Sequence, residues 1–356
     1  LYLIHIYLNP FNYNQEVFRL SVFCVSLLIP VLLFFTIKKN YAELENNKII
    51  LLSLMVTLSP YYRTSSFWGL SENYALIFLL SAYLILKKFE DNFKSSGQLL
   101  NTFSIFLLCL SSSLIVYFDQ KLVIVSFIIF FTIIKLDIDK LYKYLSIIFY
   151  SIFAIPFLYL INLWGSIIPV DASAHRNVGF LTDLFNPIYC LIIISIYILP
   201  FAICKKLDFK EIKKKFLYKE FFLLTSVLII YLLIAIFFGN FESLSIDGKG
   251  AFYKLSLIVI EETPKRLLIT SIFFILCICL NYFFFEKIYD LIILAYFLSI
   301  SLFIKPFYQE YLDPLIYILL FSFLKTKLNI NKYNIYIIFV YYFIFLISAK
   351  TYYNTL

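Results

Sequence analysis

Long apolar segments constrain the fold of this chain more than any other feature. Leu20–Ile37 and Leu267–Phe285 are each long enough, as helices, to cross a hydrocarbon layer of roughly 30 Å. Strands of a membrane barrel alternate polar and apolar residues, whereas these segments are apolar almost throughout. Backbone groups in lipid must be satisfied within their own segment, which favours helices. We therefore expect an all-α, polytopic integral membrane protein with about 11–13 transmembrane helices, short outer-face loops and interfacial helices.

The composition excludes an ordinary soluble domain. Hydrophobic residues make up 62% of the chain and charged residues 15%, whereas an average soluble domain has about 25% charged residues. The formal net charge of +8 comes from loop lysines, so it does not indicate nucleic acid as a partner. The six cysteines lie within apolar segments, without the spacing of metal sites or disulfide frameworks.

The loops between the candidate spans orient the chain. Alternate loops, starting with residues 38–48, hold two thirds of the 30 basic residues, and basic residues concentrate on the cytoplasmic side. The candidate spans are residues 18–37, 49–59, 74–86, 99–117, 122–134, 144–164, 187–204, 220–238, 267–285, 288–304, 312–324 and 333–349. This orientation predicts a multi-pass protein of the bacterial inner membrane with both ends of the chain outside.

An outward start has a consequence for the beginning of the chain. Bacterial inner-membrane proteins without a signal peptide usually begin inside, and the only methionine here is Met55. We therefore expect one further span, and most of a first outer loop, to precede residue 1.

The arginines do not follow the lysines. This topology puts all four arginines (Arg19, Arg63, Arg176 and Arg266) and both histidines (His5 and His175) on the outer side. A guanidinium offers a planar fork that binds phosphate at two points, which a lysine does not. Interfacial anchoring by arginines that reach toward the headgroups explains the same pattern, so both interpretations stay open.

Four outer segments carry the candidate site residues. Ser59–Tyr74, interpreted as a polar and aromatic loop, contributes Arg63 and Glu72; an acid at a helix N-terminus is the alternative for Glu72. The turn Tyr117–Lys121 contributes Asp119, Gln120 and Lys121, because polar groups at membrane depth are often functional; a plain polar turn is the alternative. The remaining candidates are His175 and Arg176 in the loop 165–186 and Glu310 in the loop 305–314.

Other functional motifs are not found in the sequence. Gly248-Lys249-Gly250 lacks the spacing of a phosphate-binding Walker loop, and HExxH, CxxC and GxSxG do not occur in the required context. Acidic residues at the middle of spans, which proton relays use, are also missing. These observations argue against an ATPase and lower the case for a transporter.

The order of several short motifs resembles the GT-C superfamily of membrane glycosyltransferases, which use polyprenyl-phosphate sugars. The motifs are Asn9-Pro10-Phe11, Phe18-Arg19-Leu20, Ser59-Pro60-Tyr61-Tyr62-Arg63, Ser71-Glu72-Asn73 and Gln309-Glu310-Tyr311-Leu312-Asp313-Pro314. The turn Tyr117–Gln120 lies where some members have an Arg-Gln pair, and Asp119 departs from that pattern.

This resemblance implies an enzyme that transfers a hexose or pentose, with inversion, from a polyprenyl-phosphate donor to a lipid or glycan acceptor. Family members carry the catalytic base in the first outer loop, so it implies no base within this chain. The arginines would bind the lipid phosphate, while acids and aromatic residues would bind the sugar and the acceptor. No cofactor is identified, and a divalent cation stays open. Residues 1–204 would form the GT-C-like core, and residues 205–356 a variable transmembrane module.

Other functions compete with this interpretation. An O-antigen-type polysaccharide polymerase would favour a large outer loop with arginines late in the chain, whereas the arginines here are scattered. A lipid-linked oligosaccharide flippase would line a mid-membrane cavity with polar residues, which these spans lack. A solute transporter is the third alternative.

Overall fold

A computed structural model gives the arrangement of residues 9–11, 13–93, 97–165, 183–205, 219–239, 241, 248–304 and 307–355. These residues form helices and no strands. In chain order the helices are α1 (Gln15–Ser26), α2 (Leu28–Asn40), α3 (Asn46–Leu54), α4 (Pro60–Trp68), α5 (Ser71–Asn92), α6 (Gln98–Phe118), α7 (Val123–Lys135), α8 (Lys140–Trp164), α9 (Asn186–Cys204), α10 (Lys219–Phe238), α11 (Gly250–Val259), α12 (Thr263–Phe284), α13 (Ile288–Ser301), α14 (Leu315–Phe321) and α15 (Lys332–Thr355).

The all-helical prediction is confirmed, and many of the helices have the length of a membrane span. In the described part of the chain, seven spans are long and apolar enough to cross a membrane: α1 with α2, α6, α8, α9, α10, α12 and α15. An eighth is added if the bent pair of α4 and α5 counts as one span. The segments expected at 49–59, 122–134, 288–304 and 312–324 instead form shorter helices.

Exposed side chains on these helices are large and apolar. Leu158 on α8 is 61% exposed, and Phe237 on α10 is 77% exposed. Soluble monomers rarely leave continuous apolar faces of this kind in water. Long apolar helices with apolar outer faces are characteristic of a multi-pass membrane protein.

The chain divides into two compact units. Unit 1 comprises Leu1–Val170 with Phe321–Phe323, and unit 2 comprises Asp171–Leu320 with Leu324–Leu356. By this division α9 lies in unit 2, and the boundary predicted after Cys204, between a GT-C-like core and a variable module, stays a prediction.

In unit 1, consecutive long helices pack side by side. Helix α5 packs along both α2 and α6, and α6 in turn packs against α8. Lys39 at the end of α2 is ion-paired with Asp91 at the end of α5. The ends of α2 and α5 therefore lie together, at the lysine-rich end of the unit.

Helix α9 forms the centre of unit 2. It packs against α11, α12, α13 and α15, and nearly all its side chains are buried. Asn281 of α12 donates a hydrogen bond to Ser195 of α9 at 2.6 Å. An ion pair of 2.8 Å between Lys205 and Glu286 joins the ends of the same two helices.

Candidate functional site

The two ends of unit 1 differ in charge. The C-terminal parts of α2, α5 and α7 carry lysines such as Lys38, Lys88 and Lys135, which the sequence assigns to the cytoplasm. At the opposite end, α5 begins, α6 ends, and both Arg19 and Arg63 occur. We call this opposite end the outer end of unit 1.

A helical corner forms much of the outer end. The segment Ser59–Tyr74 is not the loop that the sequence interpretation assumed, because Pro60–Trp68 is the helix α4. Ser59 caps it by accepting a hydrogen bond from the Tyr62 N–H at 2.9 Å, and Pro60 occupies its first turn. Gly69, with φ +63°, ends α4, and the chain turns by 107° into α5.

Buried polar side chains fix this corner. The Asn73 amide donates hydrogen bonds to Ser26 at 3.1 Å and to Ser66 at 2.9 Å, and its oxygen accepts one from Ser65 at 2.8 Å. These bonds tie α5 to α1 and α4. Each polar group is satisfied, as burial in an apolar surrounding requires. Because Asn73 is fixed in this way, the backbone position of the adjacent Glu72, at the start of α5, is fixed as well.

Three charged groups lie together next to this corner. The Nζ atom of Lys121 is 3.3 Å from Oδ2 of Asp119, and the Lys121 N–H donates to Oδ1 of Asp119 at 3.1 Å. Glu72 lies close enough to interact electrostatically with Asp119. The rings of Tyr74 and Phe118 stack with centroids 5.4 Å apart, which holds the start of α5 beside the end of α6. We call Glu72, Asp119 and Lys121 the acidic cluster.

The environment of Asp119 opposes its ionisation. Burial, the largest cause, raises the pKa of Asp119 above its ordinary value, Lys121 lowers it, and the negative charge of Glu72 raises it further. A carboxyl group with a raised pKa beside a second carboxylate is a common feature of functional sites. The cluster can accept hydrogen bonds from hydroxyl groups, and it can exchange a proton at Asp119.

The acidic cluster gives little support to a bound divalent cation. It contains two carboxylates, one of which is already paired with Lys121, whereas Mg²⁺ and Ca²⁺ favour a larger set of oxygen ligands. Across the described residues, no three His, Cys, Asp or Glu side chains are grouped closely enough to hold a metal ion.

The arginines of unit 1 lie in two different settings. The guanidinium of Arg19 lies over the rings of Trp68, at 4.5 Å, and Phe67, at 5.0 Å. These cation–π contacts favour the anchoring role for Arg19. Arg63 is exposed, and its Nε donates to the Thr57 carbonyl at 2.8 Å. Its two Nη groups make no hydrogen bond to any residue that the structure describes.

The other predicted site residues are distributed between the units. Gln120 is exposed in the turn that contains Asp119, and Glu310 is partly buried in a 3₁₀ turn of unit 2. Gln309 holds that turn by accepting from the Ala251 N–H and donating to the Tyr197 hydroxyl, each at 2.8 Å. His175 and Arg176 fall outside the described residues.

Sequence reasoning missed a second polar cluster, at the end of unit 2 where α9 and α12 begin. Lys249 and Asp183 form an ion pair of 3.2 Å there, and the Lys249 side chain is only 4% exposed. Arg266, on the first turns of α12, interacts with Tyr253 of α11. Only Arg266 had been singled out, as one of four outer arginines. The one feature of the sequence that could have indicated a special position for Lys249 is its place between two glycines, which favour a left-handed backbone.

Comparisons with protein-family models, with curated proteins and with solved structures gave no match. The arrangement of residues in each unit is therefore the basis of the functional interpretation.

Proposed function

We propose that this chain is a membrane glycosyltransferase that moves a sugar from a polyprenyl-phosphate donor to a lipid or glycan acceptor on the outer face of the membrane. The observation that carries the proposal is the acidic cluster, beside a helix whose exposed arginine has both Nη groups unused within the described structure. Carboxylates suit sugar hydroxyls, and a guanidinium suits phosphate.

The proposed roles follow from the charges. Glu72 and Asp119 accept hydrogen bonds from the hydroxyls of the sugar, and Lys121 holds Asp119 in position. Arg63 binds the phosphate of the donor. The acceptor oxygen attacks the anomeric carbon and releases its proton to solvent water. The C–O bond between that carbon and the phosphate breaks, and the phosphate leaves with the electron pair of that bond. Stabilisation of that developing charge by a fixed cation is the main catalytic contribution assigned to this chain.

The location belongs to the same proposal. The distribution of lysines supports an orientation with the acidic cluster toward the outside, and we assign the chain to a bacterial inner membrane as part of the proposal. A total of about 11–13 crossing helices requires shorter helices such as α7, with 13 residues, to cross by drawing in polar flanks or by thinning the bilayer.

The rival functions draw less support from the described residues. A flippase or a solute transporter would carry its polar residues along the middle of the helices, whereas the acidic cluster lies where α5 begins and α6 ends. A polymerase also needs polar and charged residues at the outer face, so the structure does not distinguish it from the proposed enzyme. An assay with a polyprenyl-phosphate sugar as the donor distinguishes the two functions.

The proposal is tested with purified protein in liposomes. A polyprenyl-phosphate sugar with radiolabelled glucose serves as the donor, and a lipid extract of the expression host serves as the acceptor. We expect the label to leave the donor in the presence of the native protein. Glu72→Gln and Asp119→Asn remove a negative charge from the cluster and should slow this loss at least about tenfold, the usual effect of one hydrogen bond to a charged group.

Asp137→Asn is the matched control, because Asp137 is exposed at the lysine-rich end of unit 1. This variant should keep the native rate. Equal rates for Asp119→Asn, Glu72→Gln and Asp137→Asn would contradict the assignment of the acidic cluster. Label that stays on donors carrying glucose, galactose, mannose and arabinose alike would contradict the proposed reaction.

A further inference from the structure

Buried polar groups without partners mark a second place in the molecule, within unit 2. The side chains of Tyr189 on α9 and Thr270 on α12 are 0% and 1% exposed. Their hydroxyls lie close enough to interact, yet neither has a well-formed hydrogen bond to any residue that the structure describes. Nε of Arg266, one turn before Thr270, is buried and also lacks a partner in that part of the chain. Three unsatisfied groups in one buried location are costly, since each one costs about 1–3 kcal/mol.

Among the described residues, the charges around these groups sum to a positive value. Lys249 is neutralised by Asp183, its partner at 3.2 Å. Arg266 makes one hydrogen bond, from Nη2 to the Thr263 hydroxyl at 3.1 Å, and has no carboxylate partner among the described residues. Electrostatic interactions connect Arg266 to both Tyr189 and Tyr253. One uncompensated positive charge therefore faces the unsatisfied hydroxyls.

The backbone next to this place is shaped to hold Lys249. Gly248, Lys249 and Gly250 all have left-handed φ angles, of +87°, +60° and +79°. A Cβ on Gly248 would lie 2.5 Å from the Phe307 carbonyl oxygen, to which the Lys249 N–H donates. A left-handed lysine costs about 1–2 kcal/mol. The chain keeps this conformation while placing the Lys249 Nζ 5.6 Å from the ring centroid of Tyr253.

We propose that unit 2 binds a phosphate group at this location, with the guanidinium of Arg266 and the hydroxyls of Tyr189 and Thr270 as direct ligands. A phosphate oxygen accepts from Nε of Arg266, and the two hydroxyls donate to the remaining oxygens. Lys249, which is paired with Asp183, adds no net charge to this location. We call Tyr189, Arg266 and Thr270 the phosphate site. It is independent of the acidic cluster in unit 1 and of the proposed transfer reaction.

The phosphate has two possible sources, a lipid headgroup or a free ion. On the two helices that carry Tyr253 and Arg266, Ile258 and Val259 of α11 are 67% and 75% exposed, and Leu268 of α12 is 61% exposed. Such a surface accepts acyl chains, as interfacial helices do. Binding of a phosphate that carries acyl chains and binding of inorganic phosphate must therefore be measured separately.

Binding is measured on the full chain in dodecyl maltoside by calorimetric titration. Inorganic phosphate is one probe, and short-chain dihexanoyl phosphatidic acid is the other. Arg266→Gln should weaken binding at least about tenfold, because it removes a charge-assisted bond. Lys265→Gln is the matched control: it removes the same charge from the neighbouring residue, whose side chain is 65% exposed and paired with Glu262. It should change the affinity less than about twofold.

Tyr189→Phe and Thr270→Val separate binding from folding. Each removes an unsatisfied buried hydroxyl with little change in shape, so the protein without ligand should keep or raise its Tm. Both variants should nevertheless bind phosphate several-fold more weakly. If Arg266→Gln does not fold, the phosphate affinities of these two variants test the phosphate site in its place.

The outcomes are distinct. Binding of both probes, or of phosphatidic acid alone, with the expected loss in the variants supports the phosphate site, and the second result identifies a lipid phosphate. The inference is overturned if the native protein binds neither probe, or if Arg266→Gln and Lys265→Gln have equal effects. A lower Tm of Tyr189→Phe and Thr270→Val with unchanged affinity also overturns it, since the hydroxyls would then be structural.

Discussion

The Nζ atom of Lys121 lies 3.3 Å from Oδ2 of Asp119, in a turn where the two side chains are only 17% and 11% exposed. Burial of both partners and the nearby Glu72 oppose the ionisation of Asp119, while Lys121 favours it. A buried pair of this kind contributes little to stability by itself, because desolvation offsets much of the attraction. Its position in a turn between two apolar helices gives it a potential role in binding.

The raised pKa of Asp119 predicts how stability depends on pH. An acid with a raised pKa in the folded state binds its proton more tightly when folded than when unfolded. Its contribution to stability is fully present below the ordinary value of 3.8 and is lost as the pH rises through the raised pKa. Asp119→Asn removes this dependence, so the variant should gain stability relative to the native protein across that window.

Denaturant unfolding in detergent at a series of pH values measures this difference, with Asp137→Asn as the control. Asp137 is exposed at the lysine-rich end of unit 1, so this variant reports the effect of an Asp-to-Asn change away from the acidic cluster. If the native protein instead gains stability relative to Asp119→Asn as the pH rises, Lys121 outweighs burial and the assigned direction of the pKa shift is wrong.

The corner between α4 and α5 depends on Gly69. Its φ is +63°, and an added Cβ would lie 2.9 Å from Cγ1 of the buried Val22. Gly69→Ala should therefore lower the free energy of unfolding by about 2 kcal/mol or more, from the left-handed conformation and the close contact together. Gly97→Ala is the control, since nothing lies within 4 Å of a Cβ placed there.

A double variant separates the two causes. Val22→Ala removes Cγ1, so Gly69→Ala should be less destabilising in that background than in the native protein, although the conformational cost stays. Equal effects in the two backgrounds would show that Val22 moves away without cost.

The assigned orientation predicts which residues a membrane-impermeant thiol reagent can reach. Gln120 and Lys88 are both exposed, at opposite ends of unit 1. With the native cysteines replaced, Gln120→Cys should react in intact cells, and Lys88→Cys only after the membrane is opened. The reverse pattern would contradict the outward orientation of the acidic cluster.

Parts of the fold were predictable because they depend on local sequence. Apolar runs of about 20 residues predict spanning helices such as α6 and α12 directly. Helix α4 had clear signals as well, since Ser59 and Pro60 form a helix start and Gly69 a helix end. The polar and aromatic composition of Ser59–Tyr74 suggested a loop, but the helix start and end signals predict its structure correctly.

The polar clusters were predictable only in part. Glu72, Asp119 and Lys121 stood out because they interrupt apolar sequence, but their proximity depends on the packing of α5 against α6. Tyr189 and Thr270 lie within apolar runs, far apart in sequence, so nothing local distinguishes them from core residues. Contacts between distant segments decide such sites, and a single sequence does not contain that information.

The central claim is that unit 1 transfers a sugar from a polyprenyl phosphate, and Arg63 provides its most direct test. The measurement is the initial rate of transfer of radiolabelled glucose from a polyprenyl-phosphate donor in liposomes. Arg63→Ala should abolish transfer without affecting membrane insertion, and Arg63→Lys should restore only part of it, because lysine keeps the charge but loses the two-point fork. Lys88→Ala, which removes one positive charge from the lysine-rich end, should transfer at the native rate. Native-level transfer by Arg63→Ala would contradict its role as the phosphate ligand, and the absence of transfer by the native protein would contradict the proposed function.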